Sequence, residues 1–361
     1  MQNLVRLMRR FEKKKFSSKR FYRLFLDVHG VGVEIVTDNK WLVRELKKEY
    51  EEFLRKECNP ILKIYVFSGC LPIKRKILKK MRKNDFIKPS YFSNKIIIIE
   101  YADAKVVYDN LRESVMIFME SNRKSSWYEI AYHYVESRVG ELLEKRGIFR
   151  IHGASLLKRG KCILLVGGAE SGKTTLLLLL SKFGGKILSD DVSFVTEKLD
   201  VLPNPTRIGM TSNMKLNKVG GELSRIEYSS GVVKYLAKPS DLGLRVYKGK
   251  CKISYIFILN NRKIGVCKIL KASYLRISLA LLRNLLIGFG ITQLREILFV
   301  QILTNPLSFL LRELRRLKMF LKLISFPNWY VVYTSKNPSL TAKTIEKFLK
   351  SLIHKGYRKC Q

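Results

Sequence analysis

The sequence predicts an α/β protein in two parts: a small α+β domain over residues 1–122, then a larger α/β domain over residues 123–361 that carries a helical insertion at about residues 270–325. Three observations lead there. Short alternating apolar runs separated by turn residues fill the first third of the chain. A strand, a glycine-rich loop, a helix and a second strand follow one another over residues 161–189. A Leu-rich, basic stretch without strand signals interrupts the last third. With 361 residues, 47% of them apolar and 11% aromatic, the chain has enough apolar surface to bury two cores.

Residues 21–29 and 32–36 alternate on either side of a turn and read as paired strands. Asp38 is placed to cap the helix that follows, in which Trp41, Leu42, Leu46, Tyr50 and Phe53 recur at helical spacing. Residues 61–67 form a further strand, and after a basic stretch over 74–88 come strands at 95–101, 104–108 and 114–119. This first domain carries no recognisable catalytic motif. A helical pattern over 127–143, with Ser125 or Ser126 as its cap, leads to strands at 149–157 and 161–166. The apolar run 176–180 continues as a helix, and 186–189 is the strand after it. Residues 254–259 and 329–334 read as strands, and 272–324 as two or three helices with Pro306 as the only proline.

The formal charge of +39 gives a field that attracts polyanions in general, whether nucleic acid, anionic membrane or nucleotide phosphate. Lys and Arg are spread through nearly every segment, and no motif selects nucleic acid or membrane. Six cysteines lie far apart with no C-x-x-C pair, which suits reduced thiols that pack as small apolar groups. The basic start has no apolar run of signal-peptide length, and no window is long and apolar enough to span a bilayer. The expected location is the cytoplasm, with peripheral membrane contact and homo-oligomerisation left open.

Chemistry concentrates after residue 150. Gly167, Gly168, Ala169, Glu170, Ser171, Gly172, Lys173 and Thr174 match G-x-x-x-x-G-K-[ST] at every fixed position, with Thr175 next in line. Glycines let the backbone wrap a phosphate with its N–H groups inward, and the new helix offers its positive end to the same anion. Lys173 then reaches the β and γ phosphates while the Thr174 hydroxyl ligates magnesium, so ATP with Mg2+ is the expected cofactor pair. Asp190 and Asp191 end the following strand, where carboxylates face the phosphates. One of them suffices to hold magnesium; the other is placed to take a proton from an acceptor hydroxyl. His152 stands on the strand before the loop strand, while His29, His133 and His354 fall in a turn, a helix and a basic tail.

Taken together, Ile151-His152-Gly153, the loop Gly167 to Thr174 and Ser189-Asp190-Asp191 resemble the catalytic domain of the HPr kinase/phosphorylase family, tightly over about residues 151–195. The resemblance implies a P-loop kinase core in which Lys173 contacts phosphate and Thr174 ligates magnesium. It further implies that Asp191 accepts the proton of an acceptor serine, with Asp190 and His152 completing the site. Bifunctional members carry a glutamate and an arginine in a glycine-containing segment after the Asp pair, and a later glycine-rich signature. Here residues 203–209 offer Arg207 and Gly209 but no glutamate, and the later signature is absent. The layout resembles the divergent HPr-kinase-like proteins, including those associated with peptide-modification systems.

The expected activity is therefore phosphoryl transfer from ATP to a serine-type hydroxyl on a protein, peptide or small molecule. The alternative is a nucleotide-binding regulatory module or NTPase without kinase activity, associated with membrane or nucleic acid. A GTPase needs N-K-x-D, and Asn260-Asn261-Arg262-Lys263 lacks its ordered Lys and Asp. A transporter-type ATPase needs an L-S-G-G-Q-like signature, and none is present. Basic residues interspersed among the leucines of 272–324 suit either a solvated helical subdomain or a helix lying on anionic lipid.

Overall fold

In the computed structural model, which describes residues 21–71, 87–92, 96–109, 112–211, 220–287, 302 and 305–357, the alternating runs of the first third join in one sheet. Its strands are β1 (Tyr22–Val28), β2 (Val31–Thr37), β3 (Leu54–Arg55), β4 (Leu62–Ser68), β5 (Ile87–Phe92), β6 (Ile96–Tyr101), β7 (Ala104–Asp109) and β8 (Ser114–Met119). They lie in the order β3-β1-β2-β4-β8-β7-β6-β5, with β4 parallel to both neighbours and every other pair antiparallel. Every residue of β2 is buried, as expected of a strand covered on both faces. Helix α1 (Lys40–Glu49) follows β2. Its cap is Asn39, whose side chain accepts from Leu42 N, and not the expected Asp38. The Asp38 carboxylate is taken by the backbone N and hydroxyl of Ser68. β5 was not read from the sequence, and most of the basic stretch before it lies outside the described residues.

Helix α2 (Lys124–Glu144) begins ahead of Ser125 and Ser126, so neither caps it, and the Ser126 hydroxyl donates to Asp103 instead. The chain falls into two units by its contacts: one of Met1–Val139, Tyr228–Ser230 and Leu294–Pro306, the other of Gly140–Glu227, Gly231–Gln293 and Leu307–Gln361.

The second unit holds β9 (Ile148–Lys158), β10 (Lys161–Val166), helix α3 (Lys173–Lys182), β11 (Lys186–Ser189), β12 (Val192–Thr196) and β13 (Asp200–Leu202). A small three-stranded sheet of β14 (Ile208–Met210), β15 (Ser224–Glu227) and β16 (Val233–Ala237) follows. Then come β17 (Cys251–Ile264), β18 (Lys268–Lys271), helix α4 (Tyr274–Leu281) running into a π-helical turn Leu282–Leu286, helix α5 (Pro306–Ile324), β19 (Trp329–Ser335) and helix α6 (Pro338–Tyr357). The main sheet runs β10-β9-β12-β13-β17-β19-β18, with β11 beside β9 and an added parallel pairing of β10 with β17. This is a mixed α/β architecture. His354, expected in a tail, belongs to α6.

Period-two alternation on β10 explains the layers. Ile163 and Leu165 pack with Leu176, Leu177 and Leu180 of α3 and with Ala342, Ile345 and Leu349 of α6. Cys162, Leu164 and Val166 point the other way, to Ile277, Ala280 and Leu281 of α4 and to Met319 and Leu323 of α5. The five described cysteines are all free, and no described helix is long and apolar enough to cross a membrane.

Candidate functional site

The glycine loop falls between the end of β10 and the start of α3, where the first helical N–H groups have no partner within the helix. The backbone turns sharply there: Gly172 has φ 88° and Glu170, not a glycine, has φ 58°. Asn261 of β17 donates to the Glu170 carbonyl at 3.0 Å and fixes that turn. A Cβ at Gly167 would lie 2.5 Å from Ser171 Oγ, so only glycine fits the first position. Lys173 folds back over the loop, donating from Nζ to the carbonyls of Gly167 at 3.1 Å and Gly168 at 2.9 Å. Burial lowers its pKa, against the pull of Asp191 and Asp190.

Thr174 donates from its hydroxyl to Asp190 Oδ1 at 3.0 Å and Oδ2 at 3.2 Å. Asp190 is buried, and that burial, followed by the charge of Asp191, pushes its carboxyl up to about 7 against the Thr174 hydrogen bond. Asp191 is exposed and has φ 62°. The pair follows directly on β11, which ends at Ser189 as expected. It bridges two strands on the same edge of β9, with Ser189 opposite Ser155 and Val192 opposite His152.

Neighbours hold this break in the ladder in place. Asn204 donates from its backbone N to Leu188 O at 2.7 Å and from Nδ2 to Val192 O at 3.2 Å, one bond on each side of the Asp pair. Gly153 N donates to Asp191 O at 2.9 Å. Behind it, the buried hydroxyls of Ser155, Ser189 and Ser193 form a chain with spacings of 2.6 Å and 2.6 Å, ending on Gly153 O at 2.9 Å. Farther back, the Glu144 carboxylate takes hydrogen bonds from Arg150 of β9 at 3.0 Å and from two nitrogens of Arg316.

His152 enters the site from β9. Burial first, then the Lys173 ammonium, push its imidazolium pKa down to about 4 against the Asp191 carboxylate, so the ring is neutral at neutral pH. Its Nδ1 is buried with no hydrogen-bond partner among the described residues. Gly153 follows because β9 passes too close to β10 for a side chain: a Cβ there would lie 2.6 Å from Leu165 O.

The structure thus brings His152, Lys173, Thr174, Asp190 and Asp191 together around the loop. Ala169 is exposed, and Thr175 is half-buried beside a cleft of about 220 Å³ whose walls include Ser171, Asn261, Thr334 and Lys336. Arg207 is buried just ahead of β14, and Gly209 lies within that strand. Sequence reading missed Asn204, Asn261 and the serine chain. It also grouped Arg283 with the solvated cations of the Leu-rich segment. Arg283 sits in the π-helical turn, and a Cβ on Gly168 would lie 3.3 Å from its guanidinium. A π turn after α4 was the structural signal, and such turns recur at functional sites.

The donor chemistry fits magnesium. A hydroxyl and a carboxylate side by side are hard oxygen ligands, which Mg2+ takes in ones and twos together with phosphate oxygens. Among the described residues no group of three or more His, Cys, Asp or Glu side chains is gathered for a metal held by protein alone.

No protein-family model and no curated protein matches the chain. Among solved structures, the Hpr(Ser) kinase/phosphatase from Coxiella burnetii is similar over 34% of this chain and 72% of its own length, at 17% identity and a TM-score of 0.19. At that TM-score the likeness carries no argument, and the α/β class stands on the strands and helices themselves.

Proposed function

We propose that the second unit is an ATP- and magnesium-dependent phosphotransferase that phosphorylates a serine-type hydroxyl on a protein, peptide or small molecule. One observation carries the reading: beside a glycine loop, the Asp pair is split between a buried carboxylate held by Thr174 and an exposed one next to His152 and Lys173. The two carboxylates therefore have different work.

In this reading the loop N–H groups wrap the phosphates of ATP, and Lys173 exchanges the carbonyls of Gly167 and Gly168 for phosphate oxygens. Thr174 and Asp190 would hold the magnesium ion, which when bound neutralises charge on those oxygens. Asp191, facing solvent, accepts the proton of the acceptor hydroxyl as its oxygen bonds to the γ-phosphorus and the bond to the leaving ADP breaks. Neutral His152, buried beside Lys173 and Asp191, helps to position Asp191 without a charge of its own. Arg283, beside Gly168, adds positive charge where the transferring group accumulates negative charge.

Incubation with γ-labelled ATP and a cell extract tests this. Label on a protein, peptide or metabolite at an acid-stable hydroxyl ester supports transfer. Label recovered only as free phosphate favours the hydrolase or switch alternative.

A further inference from the structure

Helices α4 and α5 cover one face of the second unit's sheet, and their outer sides differ in kind from an ordinary solvated surface. Ile277, Ala280 and Leu281 of α4 and Met319 and Leu323 of α5 point into the core. Away from it, Tyr274, Leu275 and Leu279 of α4 are exposed, and Leu307, Leu310, Leu314, Leu317 and Leu321 of α5 are between 43% and 67% exposed. Successive gaps of three and four residues place those five leucines in a single column along α5. Arg315, Lys318 and Lys322, all exposed and spaced the same way, run along one flank of the column. The only acid on α5, Glu313, is already engaged by Arg312 at 3.0 Å and Arg316 at 3.6 Å.

We propose that this face docks on an anionic lipid bilayer, the leucines entering at the headgroup boundary and Arg315, Lys318 and Lys322 meeting lipid phosphates. Charge decides the occupant. The leucine spacing alone would also suit a second copy of the chain, but pairing two such helices brings like-charged flanks together. An anionic surface is complementary to that flank, and the formal charge of +39 adds attraction at longer range. With no described helix long and apolar enough to cross a bilayer, the contact is one of lying on the surface. It stands independently of the phosphotransferase reading.

Flotation of the full chain with vesicles of phosphatidylcholine alone, or of phosphatidylcholine mixed with phosphatidylglycerol, provides the test. Binding is expected only to the anionic vesicles, with release as salt is raised from about 0.1 M to about 0.5 M. Leu310→Asp with Leu317→Asp should lower the bound fraction about tenfold or more, and Lys318→Glu with Lys322→Glu should remove the preference for anionic lipid. Melting temperatures close to wild type confirm that both variants fold, and if the leucine variant does not, the lysine variant reports on the same surface. Wild-type protein that stays off anionic vesicles overturns the proposal. So does a leucine-dependent dimer seen by light scattering, which would assign the face to a second copy.

Discussion

The two units each build a mixed sheet, yet they place the same unusual backbone conformation in different settings. Among the described residues of the first, the non-glycine residues with positive φ are His29 and Glu113, both in turns, where the left-handed region is an ordinary solution. In the second, Asp191 adopts φ 62° within the edge of a ladder, between two strands that both pair with β9. Buried polar groups occur in both units. Arg138 of the first unit donates to Glu113 at 2.7 Å and stacks 4.5 Å over Tyr108, and Tyr128 donates to Glu49 at 2.7 Å. In the second unit His152 Nδ1 has no partner among the described residues and the Asp190 carboxyl is pushed up to about 7. The left-handed residue set inside a ladder is the local difference between the two sheets.

Four measurements sharpen or break that contrast. The largest effect is expected from Asp191→Asn, which should lower phosphoryl transfer about a thousandfold while leaving nucleotide affinity nearly unchanged. Transfer at the wild-type rate would remove Asp191 as the base. In the first unit, Arg138→Ala should cost about 3 kcal/mol of stability, read by denaturant unfolding, because it removes a buried cation from beside Glu113 and from over the Tyr108 ring. Turnover per folded molecule should not change, and if it falls the first unit takes part in the chemistry. Arg283→Ala should slow transfer about 10- to 100-fold with little change in ATP affinity. A loss confined to affinity would make Arg283 a binding residue only.

The smallest effect is in the pH dependence of the ligand-free protein. Asp190, raised from 3.8 to about 7, keeps a proton that the unfolded chain has released, so its stabilisation is full below pH 3.8 and lost as pH rises through about 7. His152, lowered from 6.5 to about 4, acts in the opposite sense: its stabilisation is full above pH 6.5 and lost as pH falls through about 4. In wild type the two slopes oppose each other over the shared range. Asp190→Asn should leave the His152 slope alone, so that stability rises with pH by up to about 1.4 kcal/mol per unit, followed by thermal melting. An equally flat profile in the variant would show that the two groups do not titrate as their burial implies.

Sequence carried the site's linear parts well. Gly167 to Thr174 and Asp190-Asp191 are contiguous runs, and the His152-Gly153 pair precedes them on the strand before the loop strand, so order and spacing along the chain lined them up. The parts that hold them were hidden because pairing register sets them. Ser155, Ser189 and Ser193 meet only once β9 has β11 and β12 beside it, and Asn204 reaches Leu188 and Val192 from a separate segment. Long-range competition also explains the misplaced cap: Ser68 claims the Asp38 carboxylate, leaving Asn39 to start α1. The strands from β13 to β16 have three to five residues each, too few for alternation to register.

Lys173, lying across the carbonyls of Gly167 and Gly168, has a kinetic consequence. The ammonium holds the loop in shape from within, so an arriving phosphate meets a formed cradle and has only to displace two hydrogen bonds to one side chain. Displacing one side chain is a smaller rearrangement than ordering a loop, which takes up to microseconds. In the proposed phosphotransferase, nucleotide capture should therefore be paced by diffusion and by the attraction of a strongly cationic protein for a polyphosphate, and its rate should fall steeply with ionic strength.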